Sequence, residues 1–196
     1  MKKYIVAAIM SACSVSAAWG ACGNESQLLT PGDVVRMQKV DGLGTLIFTE
    51  TGEILSADAG KSPADADYRD AKLGAYLLGD NGPIWKIEDG IEKCDLDGIG
   101  AYFLKDGLAI TDLDMDNRPE IWFSYVKECA GDPGPKPMTL VMYEDGKKHV
   151  VEGETLSRVS LDAFMGGSFN YGEGFGDAPK AFRDFAQKYW DDRKEQ

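Results

Sequence analysis

The stretch LAITDLDMDNRPEIWFSYVKEC, residues 108–129, places an aspartate-rich loop between two apolar runs. The runs LAIT and IWFSYV carry the β-branched and aromatic residues that favour strands. Two strands joined by a short polar loop predict an antiparallel hairpin. The loop itself needs an explanation, because two carboxylates about 5 Å apart repel by roughly 3 kcal/mol at an effective dielectric near 20. A cation, a partner protein or full solvation would relieve that repulsion. Asp112, Asp114 and Asp116 stand at positions 1, 3 and 5, Arg118 at position 7 offers its backbone carbonyl, and Glu120 falls at position 9. This oxygen-rich set suits a hard cation, and the alternation lets a curled loop aim successive carboxylates inward. The expected ion is Ca2+; the competing reading is an acidic, solvated turn without metal. A helix-loop-helix site would need a helix after the loop and a bidentate Glu at position 12, and neither is present.

Outward from the loop the pattern stays β. GTLIFTETGEILS predicts a hairpin with a strand around Leu46–Phe48, a turn through Thr51-Gly52 and a return strand around Ile54. KLGAYLLGDNGPIWKIED repeats the arrangement with Asp80-Asn81-Gly82 as the turn. Further strands are expected near residues 91–96, 101–104, 108–111, 120–127, 138–143 and 149–152. CDLDG, residues 94–98, has too few ligands for a second cation loop and reads as an ordinary turn. The period changes at the C-terminus, where Phe182, Phe185, Ala186, Tyr189 and Trp190 follow the spacing of one helical face. A helix is expected over about 178–193, with Asp177 as N-cap and Pro179 in the first turn. The fold class is mainly β, antiparallel hairpins in a sandwich-like or partial-propeller-like arrangement, with one C-terminal helix. In the broad sense it is α+β.

The N-terminus predicts the compartment. Lys2 and Lys3 precede an apolar run and the small residues of SVSAAWGA, the order of a secretory signal over residues 1–21. That run is too short for a membrane span, and no second run of spanning length follows. Residues 22–196 form one expected domain. Cleavage before Cys22 leaves Cys22, Cys94 and Cys129, an odd number for an oxidising compartment. Lipidation of Cys22 would leave the other two free to pair, but Trp19 is bulky where lipoprotein sites carry an aliphatic residue. A free periplasmic or secreted protein is therefore expected, with a lipid anchor through Cys22 as the alternative. Loss of Lys2 and Lys3 takes the net charge from −12 to −14. Such acidity argues against nucleic acid and anionic lipid surfaces as partners, and suits divalent cations or a basic protein.

The Asp loop resembles the calcium loops of FG-GAP and VCBS repeats, whose pattern is D-x-D-x-D-G-x-x-D between two strands. Asn117 stands where Gly is usual, and Asn tolerates positive φ better than most residues; Glu120 replaces the last Asp. A longer resemblance runs through IWKIEDGIEKC, the opening stretch, KPMTLVMYEDGKKHVVEG and APKAFRDFAQKYW. It is to a poorly characterised family of bacterial envelope proteins labelled surface polysaccharide biosynthesis proteins. In that family two cysteines flank the Asp loop, and the matching positions are Cys94 and Cys129. The resemblance thus implies a structural disulfide tying the strands that lead into and out of the loop.

Nothing in the chain marks an enzyme. His149, the single histidine, lies in KKHVVEG and reads as an exposed strand residue. There is no G-x-S-x-G nucleophile elbow and no phosphate-binding Gly loop. With 33 acidic residues, a carboxylate pair is expected by number alone and does not identify a glycosidase. In the Gly-aromatic segment 166–179, Phe169, Tyr171 and Phe175 are candidates for contact with a glycan or partner, set against the more ordinary role of pinning a loop to the core. Two functions follow as expectations. One is a non-enzymatic, calcium-stabilised envelope protein accessory to surface polysaccharide. The other is a periplasmic inhibitor or immunity protein that neutralises a basic wall-degrading hydrolase by charge complementarity.

Overall fold

The structure, a computed structural model, describes residues 32–63 and 67–195. The expected leader, residues 1–21, and Cys22 lie outside the described residues. In chain order the elements are β1 (Asp33–Val40), β2 (Gly44–Leu55), β3 (Arg69–Gly79), β4 (Gly82–Cys94), β5 (Gly98–Thr111), β6 (Glu120–Ala130), β7 (Pro137–Glu144), β8 (Lys147–Glu154), β9 (Leu156–Arg158), β10 (Phe164–Gly166), β11 (Phe169–Tyr171) and α1 (Lys180–Asp191). The first four strands form one antiparallel sheet in sequence order. A second sheet has the order β11-β8-β7-β6-β5, and β9 pairs with β10 as a small hairpin.

β6 explains why the layers stack as they do. Its apolar run has no polar alternation because both of its faces are buried. Ile121, Phe123 and Tyr125 face the first sheet, in a core shared with Leu46, Phe48, Leu73, Leu77 and Trp85. Trp122 and Val126 face the other way, into a second core with Met142, Val151, Phe182, Ala186 and Trp190. The protein is thus a two-sheet β sandwich with α1 laid on the outer face of the second sheet. No helix among the described residues is long and apolar enough to cross a membrane.

The helical stripe packs as its spacing predicts: Phe182, Ala186, Tyr189 and Trp190 are all buried. The Trp190 indole N–H donates to the Gly167 carbonyl at 3.1 Å, and the Tyr189 hydroxyl donates to the Gly107 carbonyl. The start of the helix differs from expectation. Pro179, with φ −50° and ψ 146°, is itself the N-cap, and no side chain caps the helix. Its ring fixes the φ at which the chain turns into the helix, so Asp177 is not needed there.

Other differences come from bulges. Thr51-Gly52 is not a hairpin turn: β2 runs through it, with a register shift between Glu50 and Glu53. Gly52 takes φ 60°, and the Thr51 hydroxyl accepts the Lys72 backbone N–H at 2.8 Å. A side chain thereby replaces a ladder bond, and the strand continues. The strands expected at 101–104 and 108–111 are likewise one strand, β5, irregular between Phe103 and Leu108. The Asp80-Asn81 turn lies where it was predicted, between β3 and β4. β1 carried no recognisable strand signal, since its residues are nearly all exposed.

Cys94 and Cys129 are joined as a disulfide. Its position differs from the expected one. Cys94 ends β4 in the first sheet, while Cys129 lies opposite Ile99, at the open end of the β5–β6 hairpin. The bridge therefore staples the two sheets together, at the end of β6 remote from the Asp loop. Closing a loop with sequence separation 35 stabilises a fold by about 4 kcal/mol in the chain-entropy model.

Candidate metal site

The loop is held by its own strand ends. Thr111 and Glu120 are the last pair of the β5–β6 ladder. Glu120 is completely buried, a position a carboxylate occupies only with partners. The Thr111 hydroxyl donates to one of its oxygens at 2.5 Å, and the Leu113 backbone N–H donates to the other at 2.7 Å. Thr111 in turn accepts the Trp122 indole N–H at 2.8 Å. A chain of hydrogen bonds thus runs from the core beneath α1 to the loop.

The aspartates curl the loop around themselves. Asp112 accepts the backbone N–H groups of Asp116 at 3.1 Å and Asn117 at 3.2 Å through its two oxygens. Asp114 accepts the Asp116 N–H at 3.3 Å. Met115 and Asn117 take positive φ, 63° and 65°, so Asn117 performs the turn for which the repeat pattern uses Gly. Arg118 contributes a guanidinium as well as its place in the loop. It bonds Asp116 through Nε at 2.6 Å and Asp145 through Nη1 at 2.5 Å. The Arg118 side chain, with the Arg118 backbone N–H, holds the Asp116 carboxyl below the usual carboxylate range.

The acidic side chains fall into two groups that share Asp114. Asp112, Asp114 and Asp116 form one; Asp114, Glu120 and Glu144 form the other, and within each the nearest oxygens all lie within 4.8 Å of one another. Oxygens bound to one calcium ion at 2.3–2.6 Å lie no more than about 5 Å apart, so either group fits one ion. Glu144 was missed by sequence reasoning. It closes β7, and the register that sets Ile121 opposite Tyr143 carries Glu144 beside Glu120, two like charges across a ladder. Its Oε1 is buried without a hydrogen-bond partner. Burial, followed by the charges of Asp114, Glu120 and Asp116, pushes its carboxyl up to about 7, against an opposing pull from Arg118. The residues lie 24 apart in sequence, and only strand pairing brings them together.

The remaining candidates are placed elsewhere. Phe175 is buried, with its ring 6.5 Å from that of Trp122, so it is a core residue and not a contact surface. Phe169 packs partly buried on Trp190, ring centroids 5.2 Å apart. Tyr171 is 41% exposed but its hydroxyl donates to the Arg183 carbonyl at 2.9 Å. All three serve to pin the segment to the sheet and helix. His149 is not the exposed residue its polar neighbours suggested: only 6% of it is accessible, because β8 turns it toward α1.

A groove of about 390 Å³ opens between the sheets beside Ile87, Asp89, Tyr125, Thr139 and Glu152. Its most buried charge is satisfied. Burial would raise the Asp89 carboxyl, but bonds from Lys127 at 2.9 Å and Tyr125 at 2.7 Å, with the Gly90 N–H, hold it below the usual range. Asp89 thus acts as a polar bridge between sheets. No family model, curated protein or solved structure matches this chain.

Proposed function

We propose that this is a non-enzymatic protein of the bacterial cell envelope, stabilised by Ca2+ and accessory to surface polysaccharide. The observation that carries the calcium reading is the Glu144 carboxylate oxygen, buried and unpartnered beside Glu120 and Asp114. A buried oxygen without a donor is destabilising unless a proton or a cation satisfies it. Asp114, Glu120 and Glu144 would hold the ion at one of the two groups and Asp112, Asp114 and Asp116 at the other, with the Arg118 carbonyl as the neutral ligand expected from the loop spacing. The ion would supply positive charge among the crowded carboxylates where the β5–β6 loop meets the end of β7, adding to the Arg118–Asp145 ion pair that already joins the loop to the β7–β8 turn. Its role is structural.

The envelope assignment rests on the leader-like N-terminus, the acidic charge and a disulfide suited to an oxidising compartment. The glycan link rests on the sequence resemblance alone. Elemental analysis of the purified mature protein and thermal melts with calcium, magnesium or chelator test the metal. Calcium is expected to raise the melting temperature, and Asp114→Ala to abolish most of that gain. A protein without bound metal and without a calcium response would refute the reading.

One observation favours the inhibitor reading as a second possibility. The β9–β10 hairpin exposes Val159, Leu161, Phe164 and Met165, an apolar tip on a strongly acidic protein, as a docking element for a basic enzyme would be. Capture of a basic hydrolase that survives moderate salt, and its loss when these four residues become serine, would support it. Recovery only of basic proteins that wash off with salt would remove it.

A further inference from the structure

His149 lies on β8 opposite Met142, which in turn lies opposite Trp122, so the three form one row across the sheet beneath α1. The imidazole is caged by the rings of Phe175 and Phe182, at 5.4 Å and 6.1 Å between centroids, both edge-on. Its Nδ1 makes no hydrogen bond of good geometry, with the Gly174 backbone close by. Gly174 packs directly against it: a Cβ there would fall 2.9 Å from Nδ1 and 2.5 Å from the Lys148 carbonyl, and its φ is +81°. No residue but glycine fits this approach.

The segment that carries Phe175 is rich in glycine. Glycines stand at 172, 174 and 176, flanking the plug residue. Two short backbone bonds dock it on β8, from the Gly172 N–H to the Val150 carbonyl and from the Val150 N–H to the Glu173 carbonyl, both 2.8 Å. On the helix side the bond from the Ala178 N–H to the Phe175 carbonyl is long, at 3.4 Å. α1, in contrast, is anchored at its far end by Tyr189, Trp190 and Arg193.

We propose that residues 172–178 form an acid-released latch, with Phe175 as a plug seated on His149, and that a proton on the imidazole drives the plug off β8 and opens the space under the first turn of α1. Burial beneath the two rings disfavours a charged imidazole, and displacing Phe175 admits water to it. The groups acting on His149 are few. Burial disfavours the charged form most, and Lys147 on the same strand adds to this; the Gly174 backbone and Glu173, from the latch itself, oppose it. From β7 and α1 the facing residues are Met142 and Phe182, which do not titrate. The neutral form thus fits the closed latch, and the imidazole titrates below its ordinary 6.5. The device would couple a fall in pH to the exposure of one aromatic pocket.

Because the chain has a single histidine, NMR of the labelled mature protein reads this site without ambiguity. The imidazole midpoint is expected below 6.5, with the amide resonances of residues 172–176 shifting at the same midpoint while those of β2 and β3 stay fixed. In His149→Gln the latch resonances should hold their positions across that range. An imidazole titrating at or above 6.5 with an unmoved latch would overturn the proposal, as would a latch that moves with the same midpoint in His149→Gln. Should that variant fail to fold, Phe175→Ala serves instead. Removing the plug should move the imidazole midpoint up toward 6.5, and an unchanged midpoint would overturn the proposal equally.

Discussion

Replacing Glu144 by glutamine should act in opposite directions with and without calcium. In the ion-free protein the Glu144 carboxyl is raised from 4.5 to about 7. A group whose folded pKa is raised contributes stability that is fully present below about pH 4.5 and is lost as pH rises through about 7. At 1.36 kcal/mol per unit this shift corresponds to roughly 3 kcal/mol. Glu144 is partly exposed, and solvent screening reduces the value to about 1–2 kcal/mol. Glu144→Gln removes the charge, so in chelator at about pH 8 it should be the more stable protein by a few °C, at roughly 2–4 °C per kcal/mol for a chain of this size. At about pH 4.5 the two should melt together. Calcium at a hundred times its dissociation constant would stabilise the wild type by about 2.7 kcal/mol, and the variant by less, because it lacks one anionic ligand. The order of the melting temperatures at pH 8 reverses once the difference between the two calcium increments exceeds the variant's advantage of about 1–2 kcal/mol. Differential scanning calorimetry at both pH values, with chelator and with calcium, measures all four conditions. Equal melting in chelator at pH 8, or equal calcium increments, would refute the assignment of Glu144 to the site.

Other consequences of the packing can be checked by urea unfolding. Trp190→Ala should cost about 3–5 kcal/mol, since the indole is fully buried and its N–H is bonded to Gly167. Replacing Cys94 and Cys129 together by alanine should cost about 4 kcal/mol yet leave the calcium increment unchanged, because the bridge and the Asp loop sit at opposite ends of β6. Glu120→Ala should cost at least about 1–3 kcal/mol even in chelator. It orphans the Leu113 N–H and the Thr111 hydroxyl, and so distinguishes the structural part of Glu120 from its part in holding an ion.

Much of the local structure is written in the chain. The alternation of the loop carboxylates, the Asp80-Asn81 turn and the stripe from Phe182 to Trp190 are short-range patterns, and each forms the element its spacing predicts. Where prediction went astray, a competing local device won: a bulge at Gly52 in place of a turn, and a proline in place of an aspartate cap. The candidate site was legible as far as residues 112–120, because those carboxylates are neighbours in sequence. Glu144 was invisible, since the pairing of β6 with β7, and no feature of MYEDGKK, sets it against Glu120. His149 was misjudged for a related reason. Its neighbours are lysines, and a strand shows its two faces alternately, so local polarity reports only the face turned outward. The sequence by itself thus determined where β2 to β8 and the helix lie and which carboxylates repel. Only the tertiary structure decided which sheet each face is buried against and that Cys94–Cys129 staples two sheets. It also decided that one oxygen of Glu144 and one nitrogen of His149 are buried without a well-formed hydrogen bond, because burial and pairing are properties of residues far apart in the chain.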